Sequence, residues 1–306
     1  MGNSGSSVVP PTNPSYQTST LLDSFFSNVT SPPPSLPPQC TLGGYRANPD
    51  ASPDSALVFR SSDEQYLQLR RRDIDAHTRA LIPPTWSSDT LVIELPEPIA
   101  VLRVLFSFIG ARTHPSLLTE EFDSLAAIAK AAEKYKVYSA INICAERMRA
   151  YGNRHPKLVL LYAAHNDHSH VFDECAPRVV TSENFESLIP LLPEEYRLPW
   201  LRYHAQWSAA LGSIAQYSYT IPYNAWSNRT CWKGCGRWIF QALGAGVHAL
   251  NDPSWIFETR VKAHTDGCTQ CKKLCSEWKS HAQSMVDEIG VFSERYMNAS
   301  EGSTQS

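Results

Sequence analysis

Two rhythms of apolar and polar residues divide the chain. From Asp54 the run Ala56-Leu57-Val58-Phe59 reads as a strand, Ser61-Ser62-Asp63-Glu64 as turn residues, and Tyr66-Leu67-Gln68-Leu69 as the returning strand of a hairpin. A short helix is expected through Ile74 to Leu81, ended by Pro83-Pro84, and Leu91 to Leu95 forms a further strand with Glu94 on its exposed side. The rhythm then lengthens. Ile99, Leu102, Phe106 and Ile109 recur at spacings of three and four, which places them on one stripe of a helix. Thr119 is the expected N-cap of the next helix, with Glu120, Glu121 and Asp123 complementing its positive end and Phe122, Leu125, Ile128 and Ala132 as its stripe. Val137, Ile141, Cys144 and Met148 mark a further helix. Each large side chain contributes about 1.5–3 kcal/mol if fully buried, so these helices need a common surface, which the strands provide.

Beyond Gly152 the helical period takes over. Pro156 opens a helix through Leu158, Leu161 and Tyr162, and Ser182 is the expected cap of another carrying Phe185, Leu188, Ile189 and Leu192. Trp200, His204, Trp207, Leu211 and Ile214 share one long stripe, to be read as interior core or as a contact hot spot. Two further helices are expected, Cys231 to Leu243 and Cys271 to Ile289, joined through Asn251-Asp252-Pro253. The pattern predicts an α+β protein: a small sheet covered by helices, followed by an all-helical C-terminal extension. The expected divisions are a Pro/Ser-rich disordered tail at 1–48, a sheet-and-helix domain at 49–151, a helical extension at 152–217, a helical Cys/His-containing region at 218–296, and a disordered tail at 297–306.

Composition narrows the function. Hydrophobic residues make up 42% and charged residues 19% of the 306, a globular balance, and the net charge of −3 supplies no basic excess for nucleic acid. Arg70-Arg71-Arg72 is followed by Asp73 and Asp75 and reads as a solvated helix start. No stretch approaches the ~18 consecutive apolar residues of a membrane span, and the first thirty residues lack the basic and apolar regions of a secretory signal. An intracellular chain, in cytoplasm or nucleus, is expected, with its eight cysteines as thiols or metal ligands.

Residues 54 to about 150 resemble the BTB/POZ domain. "DSALVFRSSD" is similar to that family's first hairpin, "VIELPEPIAVLRVLFSFI" to its third strand and following helix, and "LAAIAKAAEKYKVYSAINICAERM" to its closing helix pair. The later "LPWLRYHAQW" and the Cys-containing end resemble a group of BTB proteins abundant in mushroom-forming fungi. One departure is that Leu69-Arg70 stands where many members carry a His-Lys or His-Arg pair. The resemblance implies a non-enzymatic protein-protein interaction module. Its partners would be a second copy, transcriptional proteins, or a cullin ubiquitin-ligase scaffold to which it serves as adaptor.

Candidate chemistry concentrates near the C-terminus. Cys231, Cys235, Cys268 and Cys271 come as two pairs at spacings that suit a tetrahedral zinc, with Cys275 and His264 as alternates. Cys271, Cys275, Trp278, Ala282, Met285 and Ile289 also repeat at four and three, as do Cys231, Cys235, Trp238 and Ala242, so the same thiols read as core. Three readings stand: packing, a structural zinc, or redox pairing. The alternative to an interaction module is accordingly a zinc metalloenzyme or redox protein built on this cluster. Gly2, in Met1-Gly2-Asn3-Ser4-Gly5-Ser6, fits the N-myristoylation pattern, and membrane contact is expected only if it is acylated. No phosphate-binding loop, nucleophile elbow, zinc-protease pair or dinucleotide fingerprint is present, and Gly244-Ala245-Gly246 reads as a helix stop. His165, His168 and His170, with Asp167 and Asp173, read as a solvated loop between helices.

Overall fold

The expected hairpin forms where period-two alternation meets a turn that satisfies its own polar groups. β1 (Ala56–Arg60) pairs antiparallel with β2 (Tyr66–Arg70), Phe59 standing opposite Leu67. In the turn, the Ser61 hydroxyl accepts the Gln65 N–H at 3.0 Å and donates to the Gln65 carbonyl at 3.1 Å, while Glu64 takes a positive φ of 58°. β3 (Val92–Glu94) runs parallel to β1 on the other side, giving the order β2-β1-β3. Phe59, at the centre, is fully buried. The structure is a computed structural model that describes residues 56–83, 92–110, 113–182, 185–221, 230–260 and 268–297, all within one compact unit, Ala47–Ser306.

Helix α1 (Arg71–His77) is shorter than the expected reach to Leu81. Thr78 leaves helical geometry and places both its N–H and its hydroxyl on the Ile74 carbonyl, at 2.9 and 3.0 Å, which closes the helix well before Pro83. The arginine run does start a helix, with Arg71 facing Asp75 one turn on. Helix α2 (Ile99–Ser107) is capped from a distance, because Asp63 in the hairpin turn accepts the Ile99 N–H at 2.9 Å. It buries Leu102, Leu105 and Phe106, and the Phe106 ring meets Phe59 edge-on with centroids 5.2 Å apart.

Helix α3 (Phe122–Tyr135) begins at Glu121 and not at Thr119. Glu121 keeps extended backbone while its carbonyl takes the first helical bond from Leu125, and no side chain caps it. Lys136, in left-handed conformation, ends the helix and Val137 closes back on the Ala132 carbonyl, which turns the chain into α4 (Tyr138–Ala150). Ala140, Cys144, Ala145 and Met148 are its buried side. Glu97 draws the start of α2 to the end of α3, accepting from the Tyr135 hydroxyl and from Lys134 Nζ at 2.8 Å.

Among the described residues, the second half is helical. Helix α5 (Pro156–His165) is buried from Leu158 to Ala164 on every side instead of along one stripe. Where a solvated loop is expected, α6 (Ser169–Val180) follows almost at once. Its stripe of Val171, Phe172, Cys175, Ala176, Val179 and Val180 is interrupted in sequence by acidic residues and by Pro177, which obscures the period. Gly152 permits the approach of α6, since a Cβ there would stand 2.9 Å from Cys175 Sγ. Phe185–Leu191 is a 3-10 turn containing Pro190, and not an α-helix capped by Ser182, whose hydroxyl donates back to the Val179 carbonyl at 2.6 Å.

Helix α7 (Glu194–Gln216) turns Trp200, Tyr203, Trp207 and Ile214 inward, so the tryptophan stripe is core. Helices α8 (Thr230–Leu243) and α9 (Thr269–Asp287) complete the unit, with 3-10 turns at Tyr217–Thr220 and Gly246–Asn251 and π-helical turns at Trp255–Arg260 and Ser293–Met297. The expected stop after α8 is present, Gly246 taking a φ of 78°. Trp278 on α9 donates its indole N–H to the Ile214 carbonyl at 2.7 Å, and the Ser293 N–H caps onto Asp173 at 2.9 Å. The architecture is α+β, with a three-stranded mixed sheet and a helical C-terminal half. Among the described residues, no helix is long and apolar enough to cross a membrane.

Candidate functional site

The facing sides of α8 and α9 hold the cysteine-rich layer. Cys235 and Cys271 are fully buried and Cys275 nearly so, while Cys268 is half-buried in the cap position of α9. The i, i+4 spacing puts Cys271 and Cys275 on one side of α9, and both act on the Cys235 thiol. The Cys275 contact is the dominant influence on Cys235. It pulls the Cys235 thiol below its usual range against the opposing effect of burial, and Cys275, donating and buried, is pushed above its own. The charge of Cys268 opposes this effect on Cys235. Cys275, read from sequence as an alternate, is the group that acts most strongly on Cys235. Cys231 opens α8 one turn before Cys235, but its side chain lies outside the described residues, as do His264 and Gly2. Among the described residues, no three His, Cys, Asp or Glu side chains are grouped to hold a metal ion. The six described cysteines are thiols and not disulfides, and burial pushes Cys144 up to about 12 and Cys175 up to about 11.

A second polar cluster lies where α3, α5 and the start of α6 meet. His168 Nε2 is 2.8 Å from a Glu133 carboxylate oxygen and 3.2 Å from the Tyr162 hydroxyl, and Lys136 Nζ reaches the other Glu133 oxygen at 3.4 Å. The Glu133 and His168 side chains are only 10% and 14% exposed, so the pair is a buried tie and not a solvated loop. Burial raises the Tyr162 phenol, with the Glu133 charge adding to it. His170 instead faces the exposed Glu146 at 3.2 Å. His165 reaches the Leu191 carbonyl at 3.0 Å. Sequence reasoning found these histidines but not Glu133, which lies 35 residues away and reads as a surface position of α3. His204 is half-buried and stacks on Phe185 at 3.6 Å, and burial lowers its pKa.

Trp238, Gln241, His248, Asn251, Asp252 and Trp255 help line a hollow of about 430 Å³. His248 is committed through Nδ1 to the Thr181 carbonyl at 2.9 Å, and Asp252 accepts the Trp255 N–H at 3.1 Å. Large apolar side chains reach solvent at Leu118, 67% exposed, and Tyr138, 48% exposed. Tyr138 opens α4, and the Leu118 carbonyl accepts from Arg147 in the same helix at 3.3 Å, so both border one helix. On α7, Leu198 and Leu201 are exposed three residues apart, opposite the buried tryptophans. Comparison with known proteins finds no matching family model, no matching curated protein and no matching solved structure.

Proposed function

We propose that the chain is a non-enzymatic protein-interaction module, in which residues 54–150 act as a BTB/POZ-like unit and α7 adds a second docking face. The observation that carries this reading is the exposure of Leu118 and Tyr138 together beside α4, with Tyr66 on β2 a further exposed ring of the same unit. Side chains of this size lose about 1.5–3 kcal/mol each by remaining in water, and covering them with a partner recovers it. The titratable groups support the same reading, because Glu133, His168 and Tyr162 are spent on one another in the interior. The resemblance in the hairpin, third strand and helix pair points to the partner class: a second copy of the chain, or another protein such as a cullin-ligase scaffold or a transcriptional cofactor.

The test is to purify the tagged full chain and its Leu118→Glu/Tyr138→Glu variant and compare both self-association and bound proteins. A variant with an unchanged circular dichroism spectrum is expected to lose its dimer or a stoichiometric partner. An unchanged mass and an unchanged set of partners would refute the proposal.

A further inference from the structure

We propose that the hollow lined by Trp238 and Trp255 binds a methylated ammonium ion, the charged end of a choline-like amine or of a methylated lysine side chain. Its two indoles come from separate elements: Trp238 stands on α8, and Trp255 opens the π-helical turn Trp255–Arg260. Ala242, Ala245 and Ala249 add only methyl groups to the lining. Among the described residues that line it there is no lysine or arginine, and Asp252 is the one carboxylate. Local bonds hold these groups in place. The Trp255 N–H is shared between the Asp252 carbonyl at 3.2 Å and Asp252 Oδ1 at 3.1 Å, which fixes the carboxylate beside Trp255. His248 donates from Nδ1 to the Thr181 carbonyl at 2.9 Å and so ties the 3-10 turn Gly246–Asn251 to the end of α6. Trp255 is 42% exposed, which leaves its ring open to a ligand.

The lining selects by charge and by hydrogen-bonding capacity. A primary ammonium that enters among indoles and methyl groups gives up water from three N–H donors, and each bond left unreplaced costs free energy. A methylated ammonium keeps the charge, has few or no such donors to satisfy, and packs its methyl groups against alanine and indole. Tryptophan attracts a cation through the negative face of its ring, the more strongly where water is excluded. Asp252 adds the opposite charge at the rim. An anion meets no cationic side chain among the described lining residues, and a sugar would set its hydroxyls against the alanine methyls. The hollow, about 430 Å³, has room for the chain behind the charged head. Gln241 and Asn251, exposed at the rim, suit the polar remainder of such a ligand, the hydroxyl of choline or the backbone of a lysine residue.

The experiment is calorimetric titration of the full chain with choline and with its uncharged analogue, in which a tert-butyl carbon replaces the nitrogen. Choline is expected to saturate one site and to bind at least tenfold more tightly than the analogue. Trp255→Ala, with an unchanged circular dichroism spectrum, is expected to weaken choline binding at least tenfold. Asp252→Asn keeps an oxygen for the Trp255 N–H and is expected to shrink the preference for choline over the analogue. Leu118→Glu/Tyr138→Glu is expected to bind choline as the wild type does, so this site and the proposed docking surface are tested separately. A Gly-Lys-Gly peptide, blocked at both ends and titrated with its lysine trimethylated or unmodified, identifies the source. Tighter binding of the trimethylated peptide than of choline assigns the site to a side chain of a partner protein, and the reverse assigns it to a free amine. Equal affinity for choline and the uncharged analogue, equal affinity for the two peptides, no saturable binding of either cation, or binding unchanged in both Trp255→Ala and Asp252→Asn would each overturn the proposal.

Discussion

The sheet-bearing region through Tyr151 and the region from α7 onward solve the same problem differently. In the first, short strands and helices are joined by side chains that reach across long sequence separations: Asp63 caps α2, and Glu97 holds the end of α3. In the second, large rings do the joining. Tyr196, Trp200, Tyr203 and Phe292 form a chain of ring contacts that also takes in Phe172 of the preceding α6, and Trp278 anchors α9 to the end of α7. Polar groups thus fix the ends of elements in the sheet-bearing region, and aromatic area joins the helices of the second. The Glu133–His168 tie sits at the junction and shares features of both.

The contrast is broken most severely at Trp278. Replacing it with Ala is expected to cost about 3–5 kcal/mol, since it opens a cavity and leaves the Ile214 carbonyl without its donor. Hydrogen exchange would locate the damage: amides of α7 to α9 should lose protection before those of β1 to β3, and uniform loss would argue against two differently held regions. Glu133→Ala comes next, with about 3 kcal/mol expected in urea denaturation, because it removes one member of a buried pair and strands His168. Gly152→Ala is expected to cost about 1–3 kcal/mol by forcing a methyl against Cys175 Sγ. Adding Cys175→Ala should restore part of that loss, and strictly additive costs would show that the close approach is not the cause.

The smallest effect is at Asp63. The Ser61 hydroxyl first, and then the Ile99 N–H, hold its carboxyl below the usual range. A group depressed in this way adds stability above its unfolded value and loses it as the pH falls through its folded value. Asp63→Asn should therefore be slightly less stable than wild type at neutral pH, with the gap closing below the normal aspartate range. A gap that persists in acid would assign the difference to geometry and not to charge.

Much of this architecture was legible in the residues. The hairpin, the β3 run, the stripes of α2 to α4 and the tryptophan face of α7 all follow from spacing, because each buries one side against a neighbour. Helix α6 escaped because Asp173, Glu174 and Pro177 interrupt its period and because the histidines before it invite reading as a loop. Ends of elements escaped for a different reason. Thr78 and Glu121 set boundaries through local bonds four residues apart that the apolar period does not mark, and Asp63 caps α2 across 36 residues, a bond that only folding brings together. In the thiol layer, spacing found the cysteines, and only the folded chain shows that Cys275 acts most strongly on Cys235.

The proposal that this is a module for company between proteins is tested most directly by trapping that company. With benzoylphenylalanine placed at position 138 in the full chain and irradiated in cells, the account predicts a discrete covalent adduct of higher mass, absent when the probe replaces the buried Phe59. Irradiation that leaves the chain at position 138 as a monomer, as it does at position 59, would contradict it.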